Sequence, residues 1–235
     1  MSFGEILSDI SGREKQVIVY APDDTGTDLA EVLATRNLTI DHRRLPSISS
    51  ESFVIIRDGG EFQGAMSLPD LLEFISPPIR RPQNLDALAP KHRAVYELLD
   101  DTVFVSLDRR QLLATSRELE DRAWRTGRGR LRAGFQRADA FEAQTDVYRE
   151  LSATDIDIDV YVPGGVSGAP LDDTPVTVHT DPDSDLDRYW FVLFDDGASG
   201  AQNCALIARE TEGGKYQGVW TYNPELVAQA FEAVG

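Results

Sequence analysis

The sequence predicts an α/β protein in two parts. A small α/β unit covers residues 1–78, and a larger one over 91–235 has a mixed sheet, with parallel βαβ units first and an antiparallel portion at its C-terminal end. Three observations predict this. Between residues 91 and 162, apolar runs of strand length alternate with segments of helical spacing, the pattern of parallel strands joined by helical crossovers. After Gly164 the helical segments stop and short strands follow one another to Tyr222, the pattern of hairpins. Pro77, Pro78, Pro82 and Pro90 puncture the stretch in between, where missing N–H donors preclude a helix or a central strand, so 79–90 reads as a linker.

Each element has its own local reason. Phe3–Ile10 is a short amphipathic helix closed by Ser11–Gly12, and Gln16–Ala21 is an apolar strand rich in β-branched residues. Asp23–Gly26 turns the chain into a helix over Thr27–Thr35, where Leu29, Val32 and Leu33 recur at helical spacing and Asn37 is the stop. Leu38–Arg43 alternates as a strand, Ser52–Ile56 is a second apolar strand, Asp58–Gly60 before Phe62–Met66 makes a hairpin turn, and Leu68–Ile75 is a closing helix. This order resembles a glutaredoxin or thioredoxin layout, with EFQGAMSLPDLLEFI placed like that family's final hairpin and helix. Where that family carries its cysteine pair, this chain has Asp23, Asp24, Thr25 and Gly26, so the resemblance implies a shape and no thiol chemistry.

The larger part continues with helix Lys91–Leu99, strand Val103–Leu107, helix Arg109–Thr126, strand Leu131–Phe135, helix Ala138–Ser152 and strand Ile158–Val162. Gly164–Asp173 is a loop. Strands Val176–His179, Tyr189–Asp195, Cys204–Glu210 and Tyr216–Tyr222 follow, the last two joined at Gly213–Gly214. Asn223–Pro224 ends the sheet and Glu225–Val234 is a terminal helix.

The chemistry concentrates in Asp108–Gln136. Arg109, Arg110, Arg117, Arg122, Arg125, Arg128 and Arg130 face only Asp108, Glu118, Glu120 and Asp121, so Asp108–Arg130 sums to +7 − 4 = +3 in a chain of net charge −17. Asp108 is a good N-cap with Gln111 placed to reach back, and Leu112, Leu119 and Ala123 form an apolar stripe that Leu113 and Trp124 widen toward the core. Glu118 precedes Arg122 by four and Asp121 precedes Arg125 by four, pairs that stabilise a helix by about 0.2–0.5 kcal/mol each. Arg109, Arg110, Arg117, Arg128 and Arg130 have no such local partner. Either they reach the abundant carboxylates elsewhere in the chain, or their forked donors hold a carboxylate, a phosphate or an acidic partner surface. Ser116 and Glu120, four apart, share a helix face beside Arg117, and Phe135–Gln136 ends the next strand. The four residues form either a polar pocket at the strand's carboxyl end or a hydrogen-bond network pinning helix to strand.

The run LLATSRELEDRAWR, then RLRAGFQ, then Val147–Tyr148 and the strand IDVYV, resembles the DICT sensory domain, most closely in its salt-loving archaeal form. The resemblance covers about Asp100 to Pro224, its most specific elements being Ser116, Glu120, Phe135 and Gln136, with WFVLFD and GVWTY in support. It implies a signal-input domain, since relatives are joined to cyclic-dinucleotide enzymes and two-component kinases, and it supplies no ligand. No kinase, cyclase or helix-turn-helix output is read in these residues, which points to output through a partner protein.

Composition excludes several classes. Carboxylates outnumber basic residues 40 to 23, and only Lys15, Lys91 and Lys215 are lysine, a balance suited to salt-rich cytoplasm and opposed to binding nucleic acid or an acidic membrane surface. No uncharged apolar run is long enough to cross a membrane, and no segment has signal-peptide form, so the expected place is the cytoplasm. The single cysteine, Cys204, excludes an internal disulfide and reads as a small buried hydrophobe. His42, His92 and His179 are isolated, so neither a metal nor another cofactor is expected. Gly127, Gly129 and Gly134 precede a strand with the wrong spacing for a dinucleotide fingerprint, Gly165–Ala169 misses the nucleophile elbow at its last position, and Asp23–Asp24 lacks the lysine of a receiver site. Trp124, Trp190 and Trp220, with Tyr189 and Tyr222, read as core and pocket lining.

The expectation is therefore a non-enzymatic sensory or regulatory protein. It binds a small polar or anionic ligand through Arg109, Arg110, Ser116, Arg117, Glu120, Phe135 and Gln136 and signals through a partner protein, with a homodimer left open. The alternatives are an adaptor whose arginine face docks an acidic partner without any small ligand, and an enzyme acting on an acidic metabolite.

Overall fold

The structure, a computed structural model, describes residues 1–12, 15–22, 38–45, 52–75, 102–164, 166, 168, 171–180 and 185–235. It contains two compact units, one of Asp9–Val103 and one of Met1–Ser8 with Phe104–Gly235. The expected helices over 27–35 and 91–99, the Asp23–Asp24 pair, the proline-rich stretch, the side chain of Asp108 and His92 lie outside the described residues. No helix among the described residues is long and apolar enough to cross a membrane.

Helix α1 (Phe3–Gly12) begins with a reciprocal cap: Ser2 N donates to Glu5 Oε2 at 2.7 Å, and Glu5 N donates to Ser2 Oγ at 3.2 Å. It runs through Ser11–Gly12, where the sequence placed a breaker. In the Asp9–Val103 unit, strands β1 (Lys15–Ala21), β2 (Leu38–Arg44), β3 (Phe53–Asp58) and β4 (Glu61–Ser67) form a sheet of order β2-β1-β3-β4. β1 is parallel to β2 and antiparallel to β3, which is antiparallel to β4. Helix α2 (Leu68–Ile75) packs on β3 and β4, and Val17, Val19, Val54, Ile56, Leu68 and Leu71 make the core. Period-two burial along β1 and β3 puts these valines and isoleucines on one face.

The larger unit is built on a seven-stranded sheet of order β5-β11-β10-β9-β6-β7-β8. Its members are β5 (Thr102–Asp108), β6 (Arg128–Gly134), β7 (Asp155–Tyr161), β8 (Thr177–His179), β9 (Tyr189–Asp195), β10 (Cys204–Glu210) and β11 (Lys215–Thr221). β6, β7 and β8 run parallel, and β9, β10 and β11 pair antiparallel, so the sheet is mixed as expected. β5 and β6, consecutive strands joined by a helical crossover, are not neighbours: β11, β10 and β9 lie between them, because the later hairpins insert there.

Helix α3 (Arg109–Thr126) links those two strands and lies on β6, β9 and β10. The segment expected as a single helix over 138–152 is two, α4 (Ala138–Glu142) and α5 (Thr145–Leu151). The break comes at Ala143–Gln144, where Gln144 N donates to Phe141 O at 2.7 Å in a tightened turn and the Thr145 hydroxyl bonds back to Glu142 O. Leu131, Ala133, Ile158, Val160, Val192 and Phe194 face α3, α4 and α5 across the main core. The alternate positions point to the opposite face, where Phe3 packs edge-on to Tyr189 and Phe191. There too helix α6 (Pro224–Val234), capped by Asn223 Oδ1 accepting from Glu225 N, brings Phe231 under the Arg130 guanidinium.

Two glycines explain themselves here without a nucleotide. Gly127, at φ +70°, donates its N–H to Ala123 O at 2.8 Å and ends α3 in the left-handed conformation that suits glycine. Gly134 lies against the Phe191 ring, and a Cβ there would sit 1.9 Å from a ring carbon.

Candidate functional site

The buried face of α3 consists of Leu112, Ser116, Leu119, Glu120 and Ala123, so two polar residues occupy core positions of an otherwise apolar stripe. Ser116 is 2% and Glu120 6% exposed. Groups so enclosed need partners. Ser116 Oγ donates to Leu112 O at 3.1 Å, one turn back. Glu120 Oε1 accepts from the Tyr148 hydroxyl at 2.8 Å, and Glu120 Oε2 accepts from Arg117 Nη1 at 2.8 Å. Tyr148 comes from α5, is fully buried and stacks edge-on with Phe135. Burial pushes the Glu120 carboxyl up, against the pull of the Arg117 charge and the Tyr148 and Arg117 hydrogen bonds, and the net effect is upward. Burial, then the neighbouring carboxylate, push the Tyr148 phenol well above its ordinary range.

Beside these groups is a cavity of about 40 Å³, lined by Arg109, Ser116, Glu120, Phe135, Gln144 and Tyr148, with Leu113, Ala140 and the β9 residues Trp190, Phe191 and Val192 completing the wall. It has room for on the order of three water-sized groups. Gln144 Oε1 is fully enclosed and has no hydrogen-bond partner among the described residues. Gln144 is also the N-cap residue of α5, yet its side chain makes no capping bond. On the far side of Glu120 a wider groove of about 400 Å³ runs between α3 and α5, lined by Arg117, Asp121, Trp124, Val147, Glu150 and Leu151 as well as Glu120 itself.

Of the residues singled out from sequence, Arg109, Ser116, Glu120 and Phe135 meet at the cavity, and Arg117 holds Glu120 from the groove side. Gln136 points elsewhere: its Nε2 donates to Arg188 O at 2.7 Å, and the amide at the cavity is that of Gln144. Arg110 is exposed and makes no ion pair among the described residues. Sequence reasoning missed Tyr148 and Gln144 as site residues. The available signal was Glu120 itself, since an acid in an apolar stripe requires a donor from the element packed against it.

The arginine surplus divides in ways the spacing did not foretell. Arg125 pairs with Asp121 as expected, but Glu118 also reaches Arg125, at 3.4 Å, instead of Arg122. Arg122 turns the other way, donating to Gln202 Oε1 at 3.1 Å with its guanidinium 4.8 Å from the centre of the Tyr222 ring. Arg130 pairs across the sheet with Asp195. Trp124, expected to widen the core stripe, is 54% exposed over the groove, because the helix already fills its inner face with Leu119, Glu120 and Ala123. His179 is paired as well, at 2.9 Å from Asp159 and stacked on Tyr161.

Residues 93–211 match the family model described as DICT, "Sensory domain in DIguanylate Cyclases and Two-component system", a span of slightly more than half the chain that contains the whole cavity. A search of curated proteins finds no match. Among solved structures the chain is similar to the crystal structure of polyphosphate kinase from Porphyromonas gingivalis, at 11% identity with a TM-score of 0.36. That similarity covers 97% of this chain and 46% of the kinase, so this chain spans about half of that protein's length, and at such a score it carries no argument about function.

Proposed function

The chain belongs to the DICT family of sensory domains in signal-transduction proteins, and from that premise we propose that its cavity between α3, α5 and β9 is the site where a small signal is bound. The observation that carries the reading is a cavity with a buried hydroxyl, carboxylate and phenol in its wall, within the segment matched to a sensory family. Ser116, Glu120, Phe135 and Tyr148 form the floor, and Arg109 at the lip supplies a guanidinium for an acidic group of the ligand. The protein works without catalysis, and its output passes to a partner protein.

The test is native mass spectrometry of the full chain purified from its own host, beside a Ser116→Phe variant that fills the cavity. A reproducible bound mass, absent from the variant, supports the reading. A mass retained by Ser116→Phe places the ligand elsewhere. A second reading, the adaptor that binds a protein and no small molecule, is favoured by the groove: an indole 54% exposed between two helices is a surface a partner can cover. If that reading holds, Trp124→Ala abolishes capture of the partner, and Ser116→Phe leaves capture intact.

A further inference from the structure

We propose that the groove between α3 and α5 docks the output partner through a basic segment, one arginine of which lies on the Trp124 indole with its charge toward Asp121 and Glu150. This deepens the reading of output through a partner protein, and rests on it, by naming the surface and the chemistry of what it takes. The sequence suggested the opposite polarity for a docking face, arginines meeting an acidic partner. At the groove, however, the arginines are already answered. Arg117 holds Glu120 at 2.8 Å, and Arg125 is shared between Asp121 and Glu118. Glu150, exposed on α5, makes no ion pair among the described residues. The charges in and beside the groove, Arg117 and Arg125 against Glu118, Glu120, Asp121 and Glu150, sum to +2 − 4 = −2.

Shape and exposure decide what kind of cation fits. Arg117, Glu120, Asp121 and Trp124 recur at three- and four-residue spacing along one side of α3, and Val147, Glu150 and Leu151 do the same on α5, so two helices wall the groove. It measures about 400 Å³, against about 40 Å³ for the inner cavity. The Trp124 and Asp121 side chains are half in water, so a small cation lying between them stays wet on its outer side. A side chain carried in by a protein is covered by the backbone behind it. The indole offers its electron-rich face to a guanidinium, the apolar arginine stem lies over Val147, and the carboxylates of Asp121 and Glu150 accept from the forked N–H groups. Tryptophan and arginine are also the side chains that most often anchor an interface. The net charge of −17 adds attraction at long range, which salt screens, leaving the stacked contact to select the segment.

Two capped peptides of one length, repeating alanine, arginine, alanine or alanine, glutamate, alanine, are the probes. Each is titrated into the full-length ¹⁵N-labelled protein at constant ionic strength, with the Trp124 indole N–H and the backbone amides of Asp121 and Glu150 as reporters. The expected result is that the arginine peptide moves all three and the glutamate peptide moves none. Trp124→Ala lowers the arginine peptide's affinity about fivefold, read at Asp121 and Glu150, with an unchanged melting temperature because the indole is half exposed. Glu150→Gln lowers it about twofold. Glu232→Gln, the same charge removed from α6 on the other face of the sheet, leaves it unchanged. Equal losses in the two glutamine variants reduce the binding to general attraction by the net charge and overturn the site. A glutamate peptide that moves the reporters overturns the polarity, and argininamide binding as tightly as the arginine peptide overturns the protein partner in favour of a small cation. If neither peptide moves them, the docking surface falls while the cavity reading, tested by Ser116→Phe, is untouched.

Discussion

A carboxylate with both oxygens engaged and almost no solvent contact responds to pH in the opposite sense from a surface acid. The Glu120 pKa is raised in the folded state, so its contribution favours folding most fully below the unfolded value of 4.5 and is lost as pH rises through the folded value. Glu120→Gln removes that loss. Urea titrations of both proteins from pH 4 to 8 therefore show the variant gaining on the wild type as pH rises above 4.5, and a difference independent of pH refutes the assignment. Tyr148→Phe acts in the other direction, leaving Oε1 without its donor at a cost of about 1–3 kcal/mol and moving the loss to higher pH. Ser116 and Glu120 were legible in the sequence because four-residue spacing puts both on one face whatever that face packs against. Tyr148 and Gln144 were not, because nothing local in α4 and α5 reveals which of their side chains meet α3, and a helix that stops at Ala143–Gln144 has neither proline nor glycine to announce it.

Among the elements, α3 was readable to the residue: the Asp108 start signal in the sequence, the apolar period and the glycine after Thr126 all specify the same helix. Strand order was not, since pairing across the sheet depends on contacts far apart in sequence, and the short hairpins gave no sign that they insert between β5 and β6. β6 and β9 press together where Gly134 admits the Phe191 ring. Gly134→Ala costs about 1–3 kcal/mol by overpacking, measured as a lower urea midpoint with unchanged slope. The connection from β9 to β10 is organised by one side chain: the Asp196 carboxylate accepts from the N–H groups of Ala198, Gly200 and Gln202. Asp196→Ala unlocks that loop, and amide exchange at those three positions quickens more than at Leu206 or Ile207 in β10. Uniform quickening would instead mean global destabilisation.

On the scale of the whole molecule the sign of the charge dominates. At −17 the folded chain repels itself, and salt relieves the repulsion as the screening length falls from about 10 Å at 0.1 M to about 3 Å at 1 M. The melting temperature therefore rises by several degrees between 0.1 and 2 M KCl, and one that falls over that range contradicts the reading of a salt-adapted surface. Against this background Arg117 and Glu120 have a particular position. Glu120 borders both the cavity and the groove, with Oε1 bonded to the Tyr148 hydroxyl and Oε2 to the Arg117 guanidinium. The partition between the two spaces is there a single carboxylate thick. A molecule in the cavity and another in the groove would each compete for the same ion. Whatever factor one exerts on the other's affinity must then be returned in equal measure, a thermodynamic reciprocity that needs no movement of the backbone.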